Sequence, residues 1–260
     1  MVTIKSKQDI EILREGGHIL ARALTMLQKH VKPGVLLYDL DARAQEFLEN
    51  HGGTPAFLGY GETKKTPGFP ATLCASINDE VVHGVGTRKI IVKSGDVLGL
   101  DLGVRYPAEK GLFTDAAVTV GVGRISKQAE KLIERTKSTL DRAIECVRPG
   151  TTTHEISQVI QKQCEQYEYG AVRDLTGHGV GYKVHEDPPI FCYHDPKHPN
   201  TVLKEGMVIC IEPMVTLGGW RVTVDDDCWT IRTADHSLAA HFEHTIVVTR
   251  DGHDIITALE

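Results

Sequence analysis

A pair of short patterns, each occurring twice in the same order and at nearly the same offset, constrains this chain more than any other feature. Val31-Lys32-Pro33-Gly34 returns 116 residues later as Val147-Arg148-Pro149-Gly150. Lys93-x-Gly95-x-Val97-x-x-Leu100-Asp101 returns 111 residues later as Lys204-x-Gly206-x-Val208-x-x-Ile211-Glu212. Pro-Gly between helices is common punctuation by itself. Two such matches in series mean two related halves, and a period this long is a duplicated half-domain, not a solenoid. The halves, about 1–122 and 123–260, are expected to pack about a pseudo-two-fold axis within one domain, 1–260. Both copies of the second pattern end on a carboxylate, so the functional site is expected where the copies converge.

Each half reads as two helices followed by strands. Ile10, Leu13, Gly17, Leu20, Leu24 and Leu27 alternate steps of three and four, which is one buried helix face. A second helix is expected from about 38 to 50, with Leu40, Ala44, Phe47 and Leu48 inward. Ser126 caps a third that carries Leu132, Ile133, Leu140 and Val147; a fourth follows Thr152-Thr153 and buries Ile156, Val159, Ile160 and Cys164. β-type runs occupy 97–104, 115–122, 207–217, 228–232 and 241–249. At this length the pattern suits one large α/β or α+β unit.

At 260 residues the chain buries roughly three-quarters of its unfolded surface and needs no disulfide or structural-metal staple. Its six cysteines include no C-x-x-C, the pattern of reduced thiols in a reducing compartment. A net charge of −6 without a Lys/Arg cluster argues against a dedicated nucleic-acid binder. Lys64-Lys65 and Arg88-Lys89 read as solvated loop pairs. No run approaches the roughly 18 apolar residues of a membrane span, and the N-terminus holds no secretory apolar core. A soluble, cytoplasmic protein without membrane contact is expected.

Polar residues inside apolar runs mark the chemistry. Asp101 and Asp115 each sit in a strand-like context, with Pro107, Glu109, Lys110 and Gly111 between them as turn chemistry. The two runs make a hairpin with both carboxylates at its base. Glu212 follows Ile209-Cys210-Ile211 and precedes Pro213, which ends a ladder or marks an edge. Glu243 opens another apolar run. His178 is framed by glycines in Gly177-His178-Gly179-Val180-Gly181, which let backbone approach closely and expose the ring. His185 lies seven residues on, whereas His194 and His198 fall in a Pro-rich stretch expected to be an exposed loop. Four carboxylates balance two divalent cations, and oxygen ligands dominate, which suits a bridged pair of hard or borderline metals.

At these residues the sequence resembles methionine aminopeptidase, type I, of the pitta-bread fold, which implies an α+β class with an antiparallel sheet covered by helices. The resemblance runs from the first helix to Thr249 and rests on His83-Gly84 after Cys74, the Asp101–Asp115 hairpin, the glycine-framed His178, Val184-His185-Glu186-Asp187-Pro188, Ile211-Glu212-Pro213-Met214 and Glu243-His244-Thr245. It implies that Asp101 chelates one metal, that His178 and Glu212 chelate the other, and that Asp115 and Glu243 bridge both. It implies two divalent ions from among Co, Mn, Fe, Zn and Ni, and a hydroxide shared between them that attacks the carbonyl of the N-terminal residue. Glu212 would shuttle the proton, while His83 and His185 would hydrogen-bond the scissile amide and the tetrahedral intermediate. Tyr60, Phe69, Cys74, Val184 and Trp229 would wall the pocket for the methionine side chain. The implied reaction is removal of N-terminal methionine before a small second residue. The expected partners are nascent polypeptide N-termini, with transient ribosome association and the protein as a monomer.

Three departures stand out against that resemblance: a longer Asp101–Asp115 loop, Ala116 where Thr or Cys is usual, and Val184 where Phe is usual. None removes a ligand. The nearest alternative is a proline-directed relative such as prolidase, which carries a large extra N-terminal domain. A binding module of the same fold would have lost metal ligands, and all five are present.

Overall fold

Ser6 opens the first helix with a reciprocal cap: its hydroxyl accepts the Asp9 N–H, and the Asp9 carboxylate accepts the Ser6 N–H. In the computed structural model, which describes residues 2–63 and 67–258, this helix is α1 (Lys7–His30). It buries Leu13, Leu20, Leu24 and Leu27 as the periodicity requires. Gly17 faces the chain's C-terminal segment so closely that a Cβ would stand 2.4 Å from the Ile256 carbonyl oxygen. There follow α2 (Leu37–Asn50), β1 (Thr54–Pro55), β2 (Leu73–Ile77), β3 (Glu80–Val82), β4 (Val97–Tyr106) and β5 (Leu112–Gly121). The second run of elements begins with α3 (Lys127–Glu145), capped by Ser126, and α4 (Thr153–Gln166), capped reciprocally by Thr152 and Glu155. It continues through β6 (Gly170–Ala171), β7 (Thr176–Gly179), β8 (Glu186–Phe191), β9 (Val208–Ile211) and β10 (Met214–Thr216). The chain closes with β11 (Val222–Val224), β12 (Ile231–Thr233), β13 (Ala239–His241), β14 (Glu243–Val248) and β15 (His253–Ile255).

The main sheet is antiparallel and ordered β1-β4-β5-β14-β9-β7-β8, with β2 also on β4 and β15 also on β14. Two small sheets, β13-β10-β6 and β11-β12-β3, flank it. One apolar core gathers α1, α2 and β4 around Leu20, Leu40 and Leu100; another gathers α3, α4 and β9 around Leu140, Ile156 and Ile209. Each copy of the repeated Lys-x-Gly pattern leads into a central strand, β4 or β9. This is the α+β arrangement of antiparallel sheet and covering helices expected from the sequence.

Several local expectations need correction. Asp101 and Asp115 lie within two ten-residue strands, not at the base of the hairpin. The run 207–217 is two strands, because Pro213 has no N–H to continue the ladder. The run 228–232 is mostly turn: the Asp227 carboxylate accepts the N–H groups of Trp229 and Thr230, Cys228 adopts a φ of 66°, and pairing starts at Ile231. Phe242 separates β13 from β14, which belong to different sheets. His194 and His198 are half-buried, His198 stacked on Phe191 at 3.7 Å and His194 edge-on to His154. Arg88 is not solvated but grips both oxygens of the buried Glu80 carboxylate at 2.7 Å. Lys64-Lys65 falls outside the described residues.

Candidate metal centre

Strand register brings the carboxylates together. Directly opposed residues share a sheet face, and so do residues two apart on one strand. Asp101 opposes Ala117 and Asp115 opposes Gly103 across β4 and β5. Glu243 opposes Ala117 from the other side. Further along, Cys210 opposes both Thr245 of β14 and His178 of β7. Asp101, Asp115, Glu243 and His178 therefore project from one face, and Glu212, one residue past β9, joins them there. The fit at His178 depends on its glycine frame. A Cβ on Gly177 would meet the Cys210 carbonyl at 2.5 Å, and one on Gly179 the Asp187 carbonyl at 2.2 Å.

The site is largely buried and acidic. Asp115 is 4 % exposed, Glu243 2 % and His178 6 %. Asp101 Oδ1, Asp115 Oδ1 and Glu243 Oε1 are buried without a hydrogen-bond partner. Among the described residues, no Lys or Arg pairs with any of the four carboxylates. Burial pushes Asp101, Glu212 and Glu243 well above the usual carboxylate range, and the Asp115 charge adds to each. Burial raises Asp115 as well. Buried carboxylates left this way are costly unless cations join them.

His178 presents a lone pair to the carboxylates. The Gly179 carbonyl lies 2.9 Å from His178 Nδ1, which assigns the proton to that nitrogen and leaves Nε2 as a lone pair. That Nε2 stands 3.4 Å from Glu212 Oε1 and 4.0 Å from Glu243 Oε1. Burial lowers the His178 pKa to about 3, so the ring is neutral at physiological pH. Ligand atoms of Asp101, Asp115 and Glu243, and again of His178, Cys210 and Glu243, converge within 4.8 Å of one another. The donor set is rich in oxygen, and its orphaned atoms fit divalent cations.

Above this floor opens a cleft of ≈ 850 Å³ lined by Tyr60, Phe69, Cys74, His83, His185 and Trp229 among others. Phe69 and Trp229 meet edge to face at 5.4 Å. Val184 stands behind that wall, buried in the apolar cluster with Phe57, Phe69 and Cys74. The His185 ring lies 4.3 Å from that of His178, and its Nδ1 contacts the Tyr60 hydroxyl. His83 is held at a φ of 58°, and burial with neighbouring His185 lowers its pKa to about 4.

Two features escaped the sequence reading. His241 is 3 % exposed and puts Nε2 3.4 Å from Glu212 Oε2; its signal was its place two residues before Glu243. Lys5 pairs with Glu186 at 2.7 Å, with both side chains almost wholly buried, and its near neighbour Thr3 lines the cleft. Nothing local in the sequence links positions 181 residues apart.

Residues 11–250 match the model of metallopeptidase family M24. Methionine aminopeptidases of Aquifex aeolicus and Clostridium acetobutylicum are 41 % and 40 % identical, aligned over 99 % and 100 % of both chains. The crystal structure of the Thermotoga maritima methionine aminopeptidase superposes with a TM-score of 0.93 at 38 % identity, covering 100 % of both chains. A Pyrococcus furiosus prolidase shares the pitta-bread fold at a TM-score of 0.77 and 25 % identity, but this chain covers only 66 % of it. The chain belongs to metallopeptidase family M24 and, within it, to the methionine aminopeptidases.

Proposed function

We propose that the protein removes N-terminal methionine from polypeptides whose second residue is small, using two divalent cations held by Asp101, Asp115, His178, Glu212 and Glu243. The observation that carries this reading is the cluster of three buried carboxylates, the half-buried Glu212 and one lone-pair imidazole on a single sheet face, at the floor of a partly aromatic cleft. Bound there, such a cation pair would supply Lewis acidity and an activated water. Cobalt, manganese, iron, zinc and nickel all suit these donors.

The chain's own groups would do the rest. Tyr60, Phe69, Cys74 and Trp229 enclose an unbranched thioether side chain, for which sulfur against aromatic rings is favourable. His83 and His185, both depressed in pKa by burial, stay neutral and offer N–H groups to the scissile amide and to the oxygen that gains charge. Glu212, whose carboxyl burial raises, is suited to take up a proton and return it to the departing amine. Nascent chains in the cytoplasm are the substrates this reading implies, with the enzyme as a monomer that meets the ribosome transiently. Among the described residues no helix is long and apolar enough to cross a membrane.

Hydrolysis of Met-Ala-Ser, Met-Leu-Ser and Ala-Pro-Ala by the Mn- or Co-loaded protein tests the proposal. Met-Ala-Ser should be cleaved well and Met-Leu-Ser poorly. Preferential cleavage of Ala-Pro-Ala would move the protein to the proline-directed branch, and no cleavage despite bound metal would make it a binding module.

A further inference from the structure

His241 belongs to no role assigned so far, yet it is built into the acidic centre. Its backbone is locked on both sides by one hydroxyl: the His241 N–H donates to Thr119 Oγ1 at 2.9 Å, and Thr119 Oγ1 donates to the His241 carbonyl at 2.7 Å. Across the small sheet it opposes Met214, two residues past Glu212. The ring is 3 % exposed, and its Nε2 has no hydrogen-bond partner. Its approach to Glu212 Oε2, 3.4 Å, falls short of an aligned hydrogen bond.

The Glu212 carboxylate thus stands between two imidazoles, with His178 Nε2 3.4 Å from Oε1 and His241 Nε2 3.4 Å from Oε2. The two rings cannot play the same part. His178 Nε2 is a lone pair, because its other nitrogen faces the Gly179 carbonyl. A second lone pair aimed at the other carboxylate oxygen would repel it, whereas an N–H there attracts.

We propose that His241 is a positioning residue for Glu212: its Nε2–H holds Oε2 and leaves Oε1 free to face the cation beside His178. This rests on the metal-centre reading above and extends it to an outer partner of one ligand. Such partners orient the carboxylate and typically carry about 10–100-fold in metal affinity when removed. Gln can supply an N–H at similar reach but no imidazole lone pair, which separates a positioning donor from a sixth ligand.

The test is titration calorimetry with Mn(II) and Co(II), together with the visible absorption of the Co(II)-loaded protein, on wild type, His241→Ala and His241→Gln. His241→Ala should weaken one of the two binding steps about 10–100-fold and shift the Co(II) bands, while His241→Gln should restore both to near wild type. His241→Leu, of closer volume and without a donor, replaces the Ala variant if that one fails to fold. Wild-type affinity and spectrum in the donor-less variant would overturn the proposal. A Gln variant as impaired as Ala would overturn it too, since the ring would then be a ligand in its own right. Metal affinity is read without substrate, so failure of the wild type to cleave Met-Ala-Ser would sink the aminopeptidase reading and leave this one standing.

Discussion

Asp101 and Glu243 flank a single residue, Ala117, which opposes Asp101 on one edge of β5 and Glu243 on the other. Two carboxylates from different parts of the chain are thus held one strand apart on either side of a methyl group. The smallness of that group is what leaves room between them.

Ala117→Leu should cost at least one metal site although every candidate ligand remains. The added side chain would lie between the carboxylates, in a position 1 % exposed, with an overpacking cost of about 1–3 kcal/mol. Titration calorimetry with Mn should show at least one site lost, as it should for Asp115→Ala, which removes a ligand outright. Two normal sites in Ala117→Leu would mean that the register places the cations elsewhere.

Chemistry and metal retention should separate at the two cleft histidines. His83→Ala and His185→Ala should keep the metals yet lose turnover about 10²–10³-fold, the usual cost of one hydrogen bond to developing charge. Metal analysis beside Met-Ala-Ser kinetics checks this. A metal-free variant would reassign that histidine as a ligand.

The four candidate carboxylate ligands were legible because each is set in or beside an apolar strand run, where burying a charge demands a cation, and His178 because glycines frame it. The helices were legible from period and caps: Ser6, Ser126 and Thr152 all open helices through a side-chain oxygen. What stayed hidden depends on contacts across the fold. His241 resembles any of thirteen histidines until β13 is laid beside β10. The run ending at Arg232 looked like strand because Trp229, Thr230 and Ile231 are strand-favouring residues, and the Asp227 carboxylate overrode that preference by capping a turn. Arg88 looked solvated because Glu80, its partner, sits in an unremarkable Asp-Glu pair.

The Lys5–Glu186 pair should carry stability with a defined pH signature. Burial pushes Glu186 up, but hydrogen bonds from Lys5, Thr3 and the Lys183 N–H outweigh it and hold the carboxyl below its ordinary value. A depressed folded pKa contributes above the unfolded value, about 4.3, and is lost as pH falls through the folded value. Burial lowers Lys5 from its ordinary value, with the pair offsetting part of that; this matters only on the alkaline side. Lys5→Ala strands a buried carboxylate and should cost about 3–5 kcal/mol near pH 7. Glu186→Gln should be less stable than wild type near pH 7, with the gap closing below about pH 4. Urea titrations across that range check both, and a gap independent of pH would show that Glu186 is not depressed.

Val184 lies off the lining of the cleft, packed against the Phe69 and Cys74 that do line it. It is 5 % exposed and shares a cluster with Phe57, Phe69 and Cys74, so a larger residue there has no solvent to enter and must push the wall inward. Val184→Phe should therefore narrow the slot for the first side chain. Cleavage of norleucine-Ala-Ser and of longer-chain analogues should fall relative to Met-Ala-Ser. The change in discrimination should be about 1–3 kcal/mol, the range that a few methylenes command in an apolar pocket. Overpacking should also destabilise the fold by a comparable amount. Ratios of kcat/KM for the peptide series, measured beside thermal melts, separate the two effects. An unchanged ratio in a destabilised variant would mean that the cluster absorbs the ring without moving Phe69 or Cys74, and that Val184 has no part in choosing the first residue.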